Sequence, residues 1–223
     1  MKRSRHEPVL RFKKPISIKN MLETFYKKVK KTKLENIICI DETSLSTALQ
    51  RNRCYSVKGT RCIIKTSTPD VFVKYTGIFA ISKNGCIGWK LYDKGGINSE
   101  RLIDFINTNI KGKNKLIIMD NASSHRNSKV KEIVTQNNNL LYSVPYQPYT
   151  NGIENFFSIL KSHLRKIKAT NFKTLEKNIK NVLKNIQNKT YSNIVNGAYR
   201  RKQNYVPKKV SKKISKYYKK SAF

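Results

Sequence analysis

Three acids in this sequence stand where a hard cation could be gripped. Asp41 follows the apolar run Asn36-Ile37-Ile38-Cys39-Ile40, Asp120 follows Lys115-Leu116-Ile117-Ile118-Met119, and Glu154 comes just after Tyr149-Thr150-Asn151-Gly152-Ile153 at the start of an amphipathic stretch. Short continuous apolar runs read as buried strands, and open α/β sheets build their sites at the carboxyl ends of strands. Carboxylates from three separate elements suit phosphoryl chemistry with two divalent ions, one activating a water or hydroxyl and one stabilising the leaving oxygen. Each acid also has a plainer reading. Asp120-Asn121 can be a turn, Asp41-Glu42 a solvated strand end, and Asn151-x-x-Glu154 a capping pattern in which the Glu returns to its own helix. Their order, each acid directly after an apolar run or at a helix start, favours the joint reading.

The elements that must position these acids are legible along the chain. Met21, Leu22, Phe25, Tyr26 and Val29 recur at helical spacing in a basic leader. After the strand ending at Asp41, the polar segment from Arg51 to Arg61 reads as an irregular excursion or hairpin. Val71 to Ile81 and Cys86 to Tyr92 form a strand pair around Ser82-Lys83-Asn84-Gly85, a hairpin signal. A helix opens at Ser99-Glu100, another spans Ser128 to Gln136, and Leu140 to Val144 makes a further strand. Pro145-Tyr146-Gln147-Pro148-Tyr149 delays the next helix to Asn151. On that helix Ile153, Phe156, Phe157, Leu160, Leu164 and Ile167 form the stripe expected to be buried, while Glu154, Ser158, Lys161 and Arg165 share another face. A last helix is expected from Leu175 to Asn188, then a lysine-rich tail. The expected organisation is a basic N-terminal segment with one helix over 1–35, an α/β catalytic domain over 36–190 and a basic tail over 191–223.

Lys and Arg number 47 against 13 Asp and Glu, a formal charge of +34 on 223 residues. Such a charge makes nucleic acid the natural partner, with Arg51, Arg53, Lys58, Lys161 and Arg165 as candidate phosphate contacts. A solvated lysine face is the plain alternative for Lys161 and Arg165. The N-terminus lacks the apolar core of a signal peptide and no apolar run reaches membrane-spanning length, so no membrane partner is expected. Cys39, Cys54, Cys62 and Cys86 lack metal-ligand spacing and read as free thiols in a reducing compartment. The expected setting is intracellular, with DNA.

Three blocks, Ile40-Asp41-Glu42-Thr43, Met119-Asp120-Asn121-Ala122-Ser123-Ser124-His125 and Val144-Pro145-Tyr146-Gln147-Pro148-Tyr149-Thr150-Asn151-Gly152-Ile153-Glu154-Asn155, resemble those of the mariner-like DDE transposases, the DDE superfamily endonucleases of insertion sequences. The resemblance covers about residues 20–190. It implies an α/β fold of ribonuclease H-like type, a mixed sheet flanked by helices, and a pair of Mg²⁺ ions for which Mn²⁺ substitutes. It also implies hydrolysis at transposon ends and transfer of the freed 3′-hydroxyl into target DNA. By matching position, Asp41, Asp120 and Glu154 take the catalytic and metal-ligand roles, with Glu42, Asn121 and His125 in support and His125 a possible phosphate contact or structural residue. Two positions depart from the family: Gly152 stands where proline is common, and Phe157 where tryptophan is usual. The 35 residues ahead of the first strand also leave no room for paired helix-turn-helix modules, so a separate recognition chain is one expectation, and a homodimer another. Two other functions fit the same residues: a domesticated or decayed DNA-binding protein without catalysis, and a structure-specific nuclease.

Overall fold

The structure is a computed structural model and describes residues 18–47, 57–61, 73–167 and 169–200. Five strands form one sheet in the order β3-β2-β1-β4-β5. β1 (Ile37–Ser46) lies at its centre, antiparallel to β2 (Lys74–Ser82) and parallel to β4 (Leu116–Met119). β3 (Gly85–Tyr92) closes the antiparallel side and β5 (Asn139–Tyr142) runs parallel to β4. The β2–β3 hairpin falls where Asn84-Gly85 marked it, with Gly85 at φ 145° in backbone that favours glycine.

The first five residues of β1 are buried without alternation because helices cover both faces of the sheet there. On one face, Ile38, Ile40, Ile117 and Met119 pack against Leu102, Phe105 and Ile106 of α2 (Ser99–Asn109) and Val130 and Val134 of α3 (Ser128–Thr135). On the other, Ile37, Cys39 and Ile118 meet α1 (Ile18–Lys30), α4 (Ile153–Leu164), α5 (Phe172–Asn185) and α6 (Asn188–Tyr199). Phe79 of β2 anchors this larger core, with its ring centroid 5.7 Å from those of both Phe156 and Phe157. Phe157 therefore fills an aromatic core position, on the stripe expected to be buried.

Three features differ from the sequence expectations. The helix expected from Leu175 to Asn188 is α5, which opens earlier at an Asn171–Thr174 capping box and ends at Asn185, and an additional helix, α6, follows it directly. α6 carries Tyr191, Ile194, Val195, Ala198 and Tyr199 into the core, so residues 191–199 are packed helix and not tail. Their spacing is helical, but tyrosines, asparagines and a glycine disguise it. Ile167 is 42% exposed because α4 ends at Leu164, before its stripe reaches that residue. α1 packs on the domain through Phe25, Tyr26 and Val29. No described helix is long and apolar enough to cross a membrane.

Candidate active site

β1 and β4 run side by side in parallel, with Cys39 paired to Ile118. Carrying that register two residues further sets Asp41 beside Asp120, which follows the carboxyl end of β4; Asp41 itself lies midway along β1, which runs on to Ser46 and does not end before the acid as the apolar run suggested. Asp41 is buried, at 6% exposure, and Asp120 is partly open. Burial, then the charge of Asp120, raises the Asp41 carboxyl to about 8. Asp120 is held below the ordinary carboxylate range, chiefly by His125.

His125 is fully buried between two acids. Its Nε2 is hydrogen-bonded to Glu42 Oε2 at 2.9 Å, and its Nδ1 stands 2.6 Å from Asp120 Oδ1 as an ion-pair contact, not an aligned hydrogen bond. Burial alone would discharge the ring, but the carboxylates of Asp120 and Glu42 win and raise it to about 10. The imidazolium therefore bridges β1 to the turn after β4. Buried as it is, it presents no surface to a DNA phosphate, and the structural reading of this histidine is the one the geometry favours. Asn121 supports the same rim differently: its Nδ2 donates to the Ser143 carbonyl at 2.6 Å, tying the end of β4 to the end of β5.

The segment joining β5 to α4 is knotted by its own hydrogen bonds. Thr150 Oγ1 accepts from the Val144 N–H at 3.0 Å and donates to the Gln147 carbonyl at 2.7 Å. α4 begins without a side-chain cap. Asn151 instead sends its Nδ2 to Asp41 Oδ2 at 3.0 Å, and Glu154 remains exposed on the first turn. The capping reading of Asn151-x-x-Glu154 is thus not realised. Gly152 donates its N–H to the Tyr199 hydroxyl at 3.0 Å; that hydroxyl donates to the Thr150 carbonyl at 3.3 Å and lies 3.0 Å from Cys39 Sγ. A proline at 152 would have no N–H to give, so glycine here belongs with Tyr199.

Glu154, Asn151, Asp120 and Asn121 line one cavity of about 440 Å³ beside Tyr146 and Gln147. Asn151 Oδ1 and Gln147 Oε1 are buried in its wall without a hydrogen-bond partner among the described residues. Hard oxygens, a carboxyl raised by burial and by its anionic neighbour, and an orphaned amide oxygen are a donor set suited to a divalent cation such as Mg²⁺ or Mn²⁺. Among the described residues, however, no three His, Cys, Asp or Glu side chains lie close enough together to hold a metal ion. Asp41 and Asp120 are adjacent; Glu154 shares only the cavity with Asp120.

Of the candidate cations, Lys161 is half-buried on the Glu154 face of α4, its ammonium lowered by burial and partly restored by Glu154. Arg165 is exposed just past the helix, and Lys58 is exposed in the short described segment 57–61. Arg51 and Arg53 lie outside the described residues. Asn151 as partner of Asp41, and Tyr199 behind it, were not singled out from the sequence. The first carries a signal three residues before Glu154, but that signal is shared with ordinary helix caps; the second carries none.

A family model described as DDE superfamily endonuclease matches residues 36–176. Solved structures with the same fold include a Mos1 transposase paired-end complex with left transposon end, at TM-score 0.71 and 16% identity over 90% of this chain and 64% of that one. The Mos1 mariner paired end complex with Mn gives 0.72 at 18% identity over the same shares, and the catalytic domain of Mos1 mariner transposase gives 0.62 at 16% over 82% of this chain and 87% of that one. The mixed five-stranded sheet flanked by helices is the ribonuclease H-like arrangement of that catalytic domain. The chain thus spans under two thirds of the transposase in those complexes. No curated protein matches it in sequence.

Proposed function

The chain belongs to the DDE superfamily endonucleases, and from that premise we propose that it is the catalytic domain of a transposase, cutting DNA at element ends and joining the freed 3′-hydroxyl to target DNA. The observation that carries this reading is the buried Asp41 held beside Asp120, with Glu154 on the same cavity as Asp120. Burying a carboxylate next to another costs stability, and a protein that only binds DNA has no use for that cost. This weighs against a decayed DNA-binding protein.

Asp41, Asp120 and Glu154 would hold two divalent ions, Mg²⁺ with Mn²⁺ able to substitute, which when bound supply an acidified water and offset charge building on phosphate oxygens. The chain's own residues prepare that centre. Asn151 orients Asp41 through Oδ2, and the His125 imidazolium fixes Asp120 and Glu42 in place while leaving the rest of the Asp120 carboxylate open to the cavity. In the cutting reaction a water oxygen forms a bond to phosphorus as the bond to the 3′-oxygen breaks, leaving a 3′-hydroxyl and a 5′-phosphate. In joining, that 3′-hydroxyl oxygen forms a bond to a target phosphorus as the bond to the target's own 3′-oxygen breaks, leaving a 3′-hydroxyl on the target. Lys161 and Arg165 below Glu154 suit the phosphates of the bound strand. We read the wider assembly as two copies on DNA, inside the cell, with element ends recognised outside the catalytic domain or by a separate chain.

The test is nicking of supercoiled DNA with Mg²⁺ or Mn²⁺. Asp120→Ala should abolish nicking and keep DNA binding; undiminished nicking by that variant would remove Asp120 from the centre. Comparing turnover on branched DNA with turnover on transposon-end DNA separates this reading from a structure-specific nuclease.

A further inference from the structure

Tyr146 sits in the wall of the acidic cavity with its backbone at φ 59°, in the left-handed region that a bulky side chain rarely occupies. The other described non-glycine residue there is Asn114, of a type that adopts it readily. Folding keeps Tyr146 in this conformation without hiding its ring, which is 63% exposed. Pro145 before it and the Thr150–Gln147 hydrogen bond after it hold the conformation. Strain that serves no packing purpose, next to a reactive centre, points to a ligand. The neighbouring side chain gives a second, independent sign. Gln147 is 3% exposed, lines the same cavity, and has its Oε1 buried without a donor among the described residues. An exposed aromatic face beside a buried acceptor lacking an N–H is complementary to a nucleobase, which has a π-face and N–H groups on its edge.

We propose that Tyr146 and Gln147 form a subsite for one unpaired nucleobase of the DNA strand, next to the phosphodiester presented to Asp120 and Glu154. The base stacks on the Tyr146 ring and donates an N–H to Gln147 Oε1. Holding that base fixes where along the strand the phosphodiester falls relative to the acids, which makes Tyr146 a positioning residue. The subsite rests on the reading of the cavity as the site of DNA cutting.

The experiment measures binding of the full chain to single-stranded oligonucleotides by fluorescence anisotropy at one salt concentration. The strands carry the same phosphates and differ in having thymine, N3-methylthymine or abasic sites. Contacts from the basic chain to phosphate are common to all three and cancel in the ratios. Thymine strands should bind about tenfold more tightly than abasic ones, with N3-methylthymine between them because it keeps the stacking face and lacks the N–H. Tyr146→Ala should erase the preference for bases and Tyr146→Phe should keep it. Equal binding of thymine and abasic strands by the unaltered chain, or a preference surviving in Tyr146→Ala, overturns the subsite; N3-methylthymine binding as well as thymine overturns the part given to Gln147. Nicking by the same preparations separates the two levels. Asp120-dependent nicking without base preference sinks the subsite alone, and nicking indifferent to Asp120→Ala sinks the reading beneath it.

Discussion

Asn151 and Asp41 are 110 positions apart, yet the amide of one donates to the carboxylate of the other at 3.0 Å. The hydrogen bond joins the start of α4 to the centre of the sheet, and it spends the side chain that a local reading assigns to helix capping. Asn151→Ala frees Asp41 Oδ2 and removes that hydrogen bond. Leaving that buried carboxyl oxygen without its donor should cost about 1–3 kcal/mol in urea denaturation. Metal-dependent nicking should fall about 10–100-fold, as for other partners that orient a ligand.

The two unusual titrations at the site both favour the folded chain at low pH, over different windows, and each is measurable by chemical denaturation in a metal chelator. Asp41 titrates near 8 when folded against a reference of 3.8, so the folded chain holds its proton more tightly. Its favourable contribution is complete below about pH 3.8 and disappears as pH rises through 8. Asp41→Asn should therefore stabilise the chain at pH 8, with a gain that shrinks toward pH 4, while abolishing nicking. His125 titrates near 10 against 6.5, so its stabilisation is complete below about 6.5 and is lost as pH rises through 10. His125→Gln should destabilise most at pH 6 and much less above pH 10. A flat pH response in both variants would contradict the assigned charges.

Gly152 has φ −59° and follows Asn151 at φ −107°, ψ 103°, a backbone that proline accepts. The obstacle is Tyr199, whose hydroxyl occupies the space the proline ring needs and loses its donor. Gly152→Pro should cost about 1–3 kcal/mol, and Gly152→Pro combined with Tyr199→Phe should cost less than Gly152→Pro alone. Additive costs in thermal melts would dismiss the pairing.

DNA affinity should fall with added salt at a log–log slope of about −0.9 for each duplex phosphate contacted. Arg165→Ala, at an exposed position, should flatten that slope by about one contact without moving the melting temperature. An unchanged slope would return Arg165 to the solvated surface.

Much of this arrangement could be read from the sequence. Continuous apolar runs ending in Asp41 and Asp120 reveal parallel central strands, and the spacing of Phe156, Phe157, Leu160 and Leu164 reveals the buried side of α4. Local pattern could not show what Asn151 does, because its partner lies 110 positions away on β1, nor the buried state of His125, because one of its carboxylates comes from β1 and the other from the turn after β4. α6 was hidden by chemistry: a helix whose core residues are mostly tyrosine, alanine and β-branched, set among asparagines, has little of the contrast that marks an amphipathic stripe.

The Tyr199 hydroxyl also imposes an order in time. Synthesis makes β1 early and the acids of β4 and α4 later, but the N–H of Gly152 has its partner only once α6 exists. A chain still emerging already carries cations able to hold nucleic acid, while the turn that sets Asn151 and Glu154 lacks its fastening. The turn that carries two of the candidate site residues is thus fastened only by the most C-terminal of the described helices.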